Sequence, residues 1–164
     1  MRGWVAAAMM FGALLVSGPA AGSDPVPPIS STPSMLVTSS PHAARAHKVR
    51  LTVTLRYEMQ CGYPGAGPLS VTFPSAMKPP RRFASAAVKL NTKSIAATVK
   101  GRRVTVTIPP PTRVLCDLRG PGSVTLEFTR AAKLTNPARP GFYRFQAAHK
   151  ADAFEAKLAI KAAG

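Results

Sequence analysis

Few groups in this sequence are able to carry chemistry, and they are poorly spaced for it. Three histidines occur, and His42 and His47 lie in a tail without a Cys or His at a metal-ligand spacing. His149 falls at a turn before Asp152, which predicts a solvated loop residue rather than a catalytic base. Only six acidic side chains are present. A glycosidase pair would have to be drawn from Glu58, Asp117, Glu127, Asp152 and Glu155, and Glu127 alternates outward between Leu126 and Phe128. No phosphate loop, dinucleotide fingerprint, calcium loop or zinc spacing appears. The sequence therefore predicts no catalytic residue, no metal and no cofactor.

What remains is charge and two thiols. There are 22 Lys and Arg against the six acids, a formal charge of +16. Lys78, Arg81, Arg82, Lys100, Arg102 and Arg103 cluster in two loops, with Arg50, Arg56, Lys89 and Lys93 on or beside outward strand positions. A field of this sign attracts wall polymers, acidic polysaccharide, anionic lipid or nucleic acid. Nucleic-acid binding would add exposed aromatics for base stacking, and here the aromatics mostly occupy inward positions. The expected partner is an anionic cell-envelope polymer or a surface protein, not nucleic acid. Arg81, Arg82, Lys100, Arg102 and Arg103 are the expected polyanion contacts. The competing reading is that the charge only keeps an exported domain soluble.

Export is read from the start of the chain. Met1-Arg2-Gly3 is a short positive start, Trp4 to Val16 is apolar or small, and Ser17 to Ser23 supplies small residues for a signal peptidase. The apolar run has the length of a secretory core and is short for a bilayer span of ~20 residues. Residues 1–22 are thus expected to be a signal peptide, leaving no integral membrane segment after cleavage and an extracellular or cell-envelope location. Residues 23–46, dense in Pro and Ser with no hydrophobic period, are expected to form a disordered linker. The remainder, 47–164, is expected to be a single domain.

Its elements follow from a period of two. Val49, Leu51, Val53 and Leu55 alternate with Arg50, Thr52, Thr54 and Arg56, which gives a strand one apolar and one polar face. The same alternation runs through Leu69 to Phe73, Val88 to Leu90, Val124 to Phe128, Tyr143 to Ala147 and Phe154 to Ile160. Ile95, Ala97 and Val99 lead through Lys100-Gly101-Arg102 into Val104, Val106 and Ile108, a hairpin with Gly in its turn. Ser75 to Ala87 lacks alternation and reads as a crossover loop with room for one helical turn. Content of 46% hydrophobic residues excludes a disordered chain, and 17 prolines with 12 glycines exclude a helical bundle. The fold expected is all-β: one antiparallel sandwich of seven or eight short strands.

Ser70-Val71-Thr72-Phe73-Pro74, then Gly101-Arg102-Arg103-Val104-Thr105-Val106-Thr107-Ile108-Pro109, then Asn136-Pro137 and Gly141-Phe142-Tyr143-Arg144-Phe145 form a recognisable succession. It resembles a repeating module of bacterial surface-layer and wall-associated secreted proteins, over roughly residues 68 to 160. The resemblance implies an immunoglobulin-like sandwich with a structural or adhesive role and no catalysis, and it carries over no binding residue. Paired cysteines, strong positive charge and a single copy set this chain apart from that group. In physical terms, Asn136 is placed to start a turn ahead of Pro137, and Gly141 to take a positive φ. Tyr143 is placed to send its hydroxyl back to a loop carbonyl, as a tyrosine corner does.

The expected function is a secreted or surface-associated non-enzymatic binding or structural module. The alternative is a secreted enzyme inhibitor or hydrolase accessory protein, for which Pro109-Pro110-Pro111-Thr112-Arg113 is the candidate loop. Two cysteines in an exported chain predict one disulfide, Cys61 to Cys116, each in a Gly/Pro loop that precedes a strand. Closing a loop of about 55 residues stabilises by about 4 kcal/mol on the chain-entropy model. Peptide mapping of the exported protein should find Cys61 linked to Cys116, with a lower melting temperature on reduction. Two alkylatable thiols in the undenatured protein would refute the bridge.

Overall fold

The computed structural model describes residues 33–60, 62–110 and 119–164. Strand β2 (His47–Gln60) shows how the sequence makes the fold. Val49, Leu51, Val53, Leu55, Tyr57 and Met59 are buried along one face, and Arg50, Arg56 and Glu58 are exposed on the other. On one side β2 pairs with β1 (Ser34–Ser40) and on the other with β8 (Arg119–Phe128). Beyond β8 the sheet continues through β4 (Val88–Leu90) to β5 (Lys93–Ser94), and β9 (Leu134–Thr135) pairs with the start of β2. The facing sheet runs in the order β11 (Asp152–Ile160), β10 (Gly141–His149), β3 (Gly67–Thr72), β7 (Arg103–Ile108) and β6 (Ala97–Lys100). All strand pairs in both sheets are antiparallel. Two antiparallel sheets sharing one core make this an all-β fold.

The strands read from alternation are found close to where the alternation placed them, including the hairpin at Gly101 (φ +62°) and the Ala/Lys-rich final strand, although Ile95 falls outside β6 and its N–H bonds Val88 O of the first sheet. Two expectations need correction. Residues 34–46 are not linker: β1 pairs with β2 over its whole length, from Ser34 opposite Arg56 to Ser40 opposite Arg50, and buries Val37. Its seven residues satisfy backbone groups rather than fill the core, so hydrophobic spacing does not reveal it. The strand number is also higher, eleven among the described residues, because β1 and the two-residue β5 and β9 are added. Residues 1–32, which contain the expected signal peptide and the first part of the linker, lie outside the described residues. No helix among the described residues is long and apolar enough to cross a membrane.

Ser75 to Ala87 is a crossover between the sheets built from tight turns, with Met77 N–H to Pro74 O at 3.0 Å and Ala87 N–H to Ala84 O at 2.9 Å, and no helical turn. Just before it, Phe73 joins the two layers. Its ring meets Phe128 of the first sheet at 5.2 Å and 80°, and Phe145 of the second at 5.3 Å and 61°. All three rings are fully buried. Edge-to-face pairs of this kind add to the gain from area burial. Phe73→Ala should therefore lower the unfolding free energy by about 3–5 kcal/mol, read from the urea midpoint. A loss below about 1 kcal/mol would show that this ring does not join the layers.

Candidate functional site

One end of the sandwich gathers the connections that carry the positive charge. Antiparallel pairing brings together the β1–β2 connection, the crossover after β3, the β6–β7 turn, the segment between β8 and β10, and the end of β11. Ala44 N–H to Lys161 O (2.9 Å) and Lys161 N–H to His42 O (3.0 Å) tie the first of these to the last. Phe73 N–H to Arg102 O (2.9 Å) and Arg102 Nη1 to Phe73 O (3.2 Å) tie the crossover to the β6–β7 turn.

Arg45 stands in the first connection and Lys48 at the start of β2 that follows it, Lys78, Arg81 and Arg82 in the crossover, and Lys100, Arg102 and Arg103 about the turn. Arg130, Lys133 and Arg139 follow in the β8–β10 segment, and Lys161 after β11. These twelve side chains are all exposed, and the segments 41–48, 73–87, 100–103, 129–140 and 161–164 contain no Asp or Glu. The two ion pairs among the described residues, Arg50–Glu127 (3.0 Å) and Arg144–Glu155 (3.2 Å), use none of the twelve. Uncompensated like charge on one surface raises the local concentration of anions.

The structure thus puts the expected contacts Arg81, Arg82, Lys100, Arg102 and Arg103 at one end. It separates Arg50, which Glu127 neutralises, and Arg56, which projects from β2 opposite Ser34 and Ser123. Lys89 sits opposite Glu127 in the β4–β8 ladder. Arg45, Lys48, Arg130, Lys133, Arg139 and Lys161 join the cluster without having been singled out in the sequence. Their common signal is an acid-free loop, but they span more than a hundred positions, and only strand order brings them together.

The opposite end corrects the reading of His149. It is buried, 1% exposed, at the end of β10, with Nδ1 3.0 Å from the Tyr57 hydroxyl. The Tyr57 ring packs against His149 at 5.7 Å and Phe154 at 5.5 Å. Burial, then the charges of Asp152 and Tyr63, pushes the Tyr57 hydroxyl up to about 12, so it stays protonated. Burial and the nearby Lys150 hold the His149 imidazole below its ordinary value, against the pull of Asp152. A neutral imidazole accepting from a neutral tyrosine is a buried structural pair. No group of three His, Cys, Asp or Glu able to hold a metal occurs among the described residues. Cys61 and Cys116 lie outside the described residues, as do Pro111, Thr112 and Arg113; the flanking Gln60 and Arg119 are Cα partners in the β2–β8 ladder.

No protein-family model and no curated protein matches this sequence. Among solved structures the chain is similar to BslA, described as a bacterial hydrophobin, with a TM-score of 0.51 and 20% identity over 80% of this chain and 100% of BslA. The shared feature is the fold. A GH20 exo-β-N-acetylglucosaminidase from Vibrio harveyi also aligns, over 80% of this chain and 18% of the enzyme at 12% identity, but its TM-score of 0.31 carries no argument.

The buried pair has a pH consequence. Because the folded-state pKa of His149 lies below the ordinary 6.5, the unfolded chain takes up the proton first as the pH falls. The contribution of His149 to stability is full above about 6.5 and declines below it, towards the lowered folded value. The melting temperature should fall between about pH 7 and pH 5, before ordinary carboxylates titrate. His149→Gln should flatten that slope, and an equal slope in both proteins would rule out His149 as its source.

Proposed function

We propose that this chain is a non-enzymatic, secreted or cell-surface-associated module that contacts anionic cell-envelope polymers through its basic end. The observation that carries this reading is the set of twelve exposed cations gathered at one end of the sandwich, in loops and adjoining strand ends devoid of acidic side chains. Solubility alone requires net charge, not its concentration at one end with the carboxylates placed elsewhere. On this reading residues 1–22 direct export, the Cys61–Cys116 bridge forms outside the cell, and the two sheets make an immunoglobulin-like sandwich of the surface-layer and wall-associated kind.

The fold shared with BslA, a bacterial hydrophobin, supports placement outside the cell. Among the described residues the exposed large hydrophobics are Leu36 and Phe142, and they stand on different sheets. The described surface therefore favours attraction by charge over adhesion through an apolar patch.

Retention on heparin and on purified wall polymer across a salt series tests the reading. Binding should weaken steeply with salt, since each neutralised charge releases counterions. The variant Arg81→Ala, Arg82→Ala, Arg102→Ala, Arg103→Ala should elute earlier, with a log–log salt slope reduced by up to about four. Failure of the parent to bind at about 50 mM salt would leave the charge as a solubilising feature only. A variant that binds like its parent would remove these four arginines from the contact.

A further inference from the structure

The outer face of the β11-β10-β3-β7-β6 sheet is not flat. A depression of about 340 Å³ lies between the start of β10 and the crossover, bordered by Phe142, Arg144, Ser75 and Arg102. A second, of about 360 Å³, continues across the sheet over Ser70, Ala148 and Ala153, with Arg103 and Glu155 beside it. Both are floored by Thr72 and Gln146, which are Cα partners in the β3–β10 ladder. The floor is low because one register row, Ala153–Ala148–Ser70, holds only small side chains. Each depression has the size of a small-ligand site. Two such sites sharing a floor form a track, which suits a chain of linked units better than a single molecule.

The chemistry of the track is specific. Phe142 is 77% exposed, and its partner across the β10–β11 ladder is Ala159, too small to cover it. Exposed aromatic surface gains from being covered by an apolar face, and the C–H face of a sugar ring is one. Three guanidinium groups border the track against one carboxylate, Glu155, whose Oε1 lies 3.2 Å from Arg144 Nε. Arg102 is oriented by its bond to Phe73 O, and a guanidinium retains further N–H donors for a ligand. Such forks match carboxylates in two parallel bonds. The Gln146 amide and the Thr72 hydroxyl add donors and acceptors of the kind that sugar hydroxyls need.

We propose that this track binds a linear acidic polysaccharide whose sugar units carry carboxylates. Phe142 stacks on one sugar ring, Arg102 and Arg103 pair with carboxylates, and the Ala148 row accommodates the continuing chain. This rests on the polyanion reading above and narrows it to one ligand class and one surface.

Oligogalacturonate provides the probe, with neutral dextran and polyphosphate beside it. Two charge-neutral variants separate a track from diffuse attraction: Phe142→Ala, and Ala148→Ile, which fills the floor with a residue suited to strands. Circular dichroism and melting temperature establish that both are folded. The parent should bind oligogalacturonate and not dextran, and each variant should weaken that binding about tenfold, the usual loss for an anchor residue. Polyphosphate, held by charge alone, should bind parent and variants equally.

If the neutral variants bind oligogalacturonate like the parent while the four-arginine variant does not, the track is refuted and the diffuse charge reading stands. If polyphosphate binding falls with Phe142→Ala as much as oligogalacturonate binding, the ligand class is wrong. A parent that binds neither polyanion at low salt overturns both readings.

Discussion

The Phe73 ring is the point on which the rest of the structure depends. It sits where the chain leaves one sheet for the other, and its two aromatic neighbours come from opposite layers. Its backbone N–H and C=O both engage Arg102. The group that seals the core therefore also fixes the turn bearing Lys100, Arg102 and Arg103 against the crossover bearing Lys78, Arg81 and Arg82. Magnitudes decide why this holds. Repulsion between exposed cations is screened, amounts to about 1 kcal/mol or less for neighbouring pairs and falls off beyond a Debye length. By contrast, Phe73, Phe128 and Phe145 each contribute about 3–5 kcal/mol within a core of many more buried side chains. Core packing outweighs surface repulsion, so a basic end is compatible with a stable fold.

Two further contacts brace that end from beneath. Asn136 is buried, and its Nδ2 donates to Pro41 O (2.8 Å) and Ala43 O (2.9 Å), binding the β8–β10 segment to the β1–β2 connection. Its side chain thus acts across loops, whereas the sequence suggested only a local turn before Pro137. Tyr143 donates to Arg139 O at 2.7 Å, the back-bond of a tyrosine corner, after Gly141 takes φ +148°. The Arg139 carbonyl is held while its side chain remains exposed. Residues that resemble a fold signature are here the supports of a charged surface.

How much of this was legible in the sequence depends on where each residue's information is stored. Val49, Leu51, Val53 and Leu55 announce their strand because each buries its own side chain, and alternation records side-chain burial directly. Strand β1 leaves no such record: of Ser34–Ser40 only Val37 and Ser39 are buried, and the strand is held by backbone pairing, which any residue with an N–H can join. His149 was legible and misread. It continues the inward positions of Phe145 and Ala147, and the nearby turn at Lys150 concealed that register. The basic end was half legible, since the sequence shows acid-free loops but not which end of a sandwich each one occupies.

The placement of the few acids completes the electrostatic logic. Glu127 and Glu155 lie on opposite outer faces, each paired with an arginine, while Glu58 and Asp152 belong to the end that holds Tyr57 and His149. The described acids thus stand on the faces and near the far end, and none stands where the basic loops meet. Within about a Debye length, roughly 8–10 Å in physiological salt, a polyanion senses that end before the sheet face. Long-range attraction of this kind orients an encounter without selecting among polyanions, because every anionic chain feels it. Selection needs short-range shape, and the track over Ala148 and Ser70 starts at the basic end, beside Arg102, and leads away from it. In the proposed binding the two features act in sequence: charge brings the polymer to the end of the sandwich, and the sheet face decides which polymer stays.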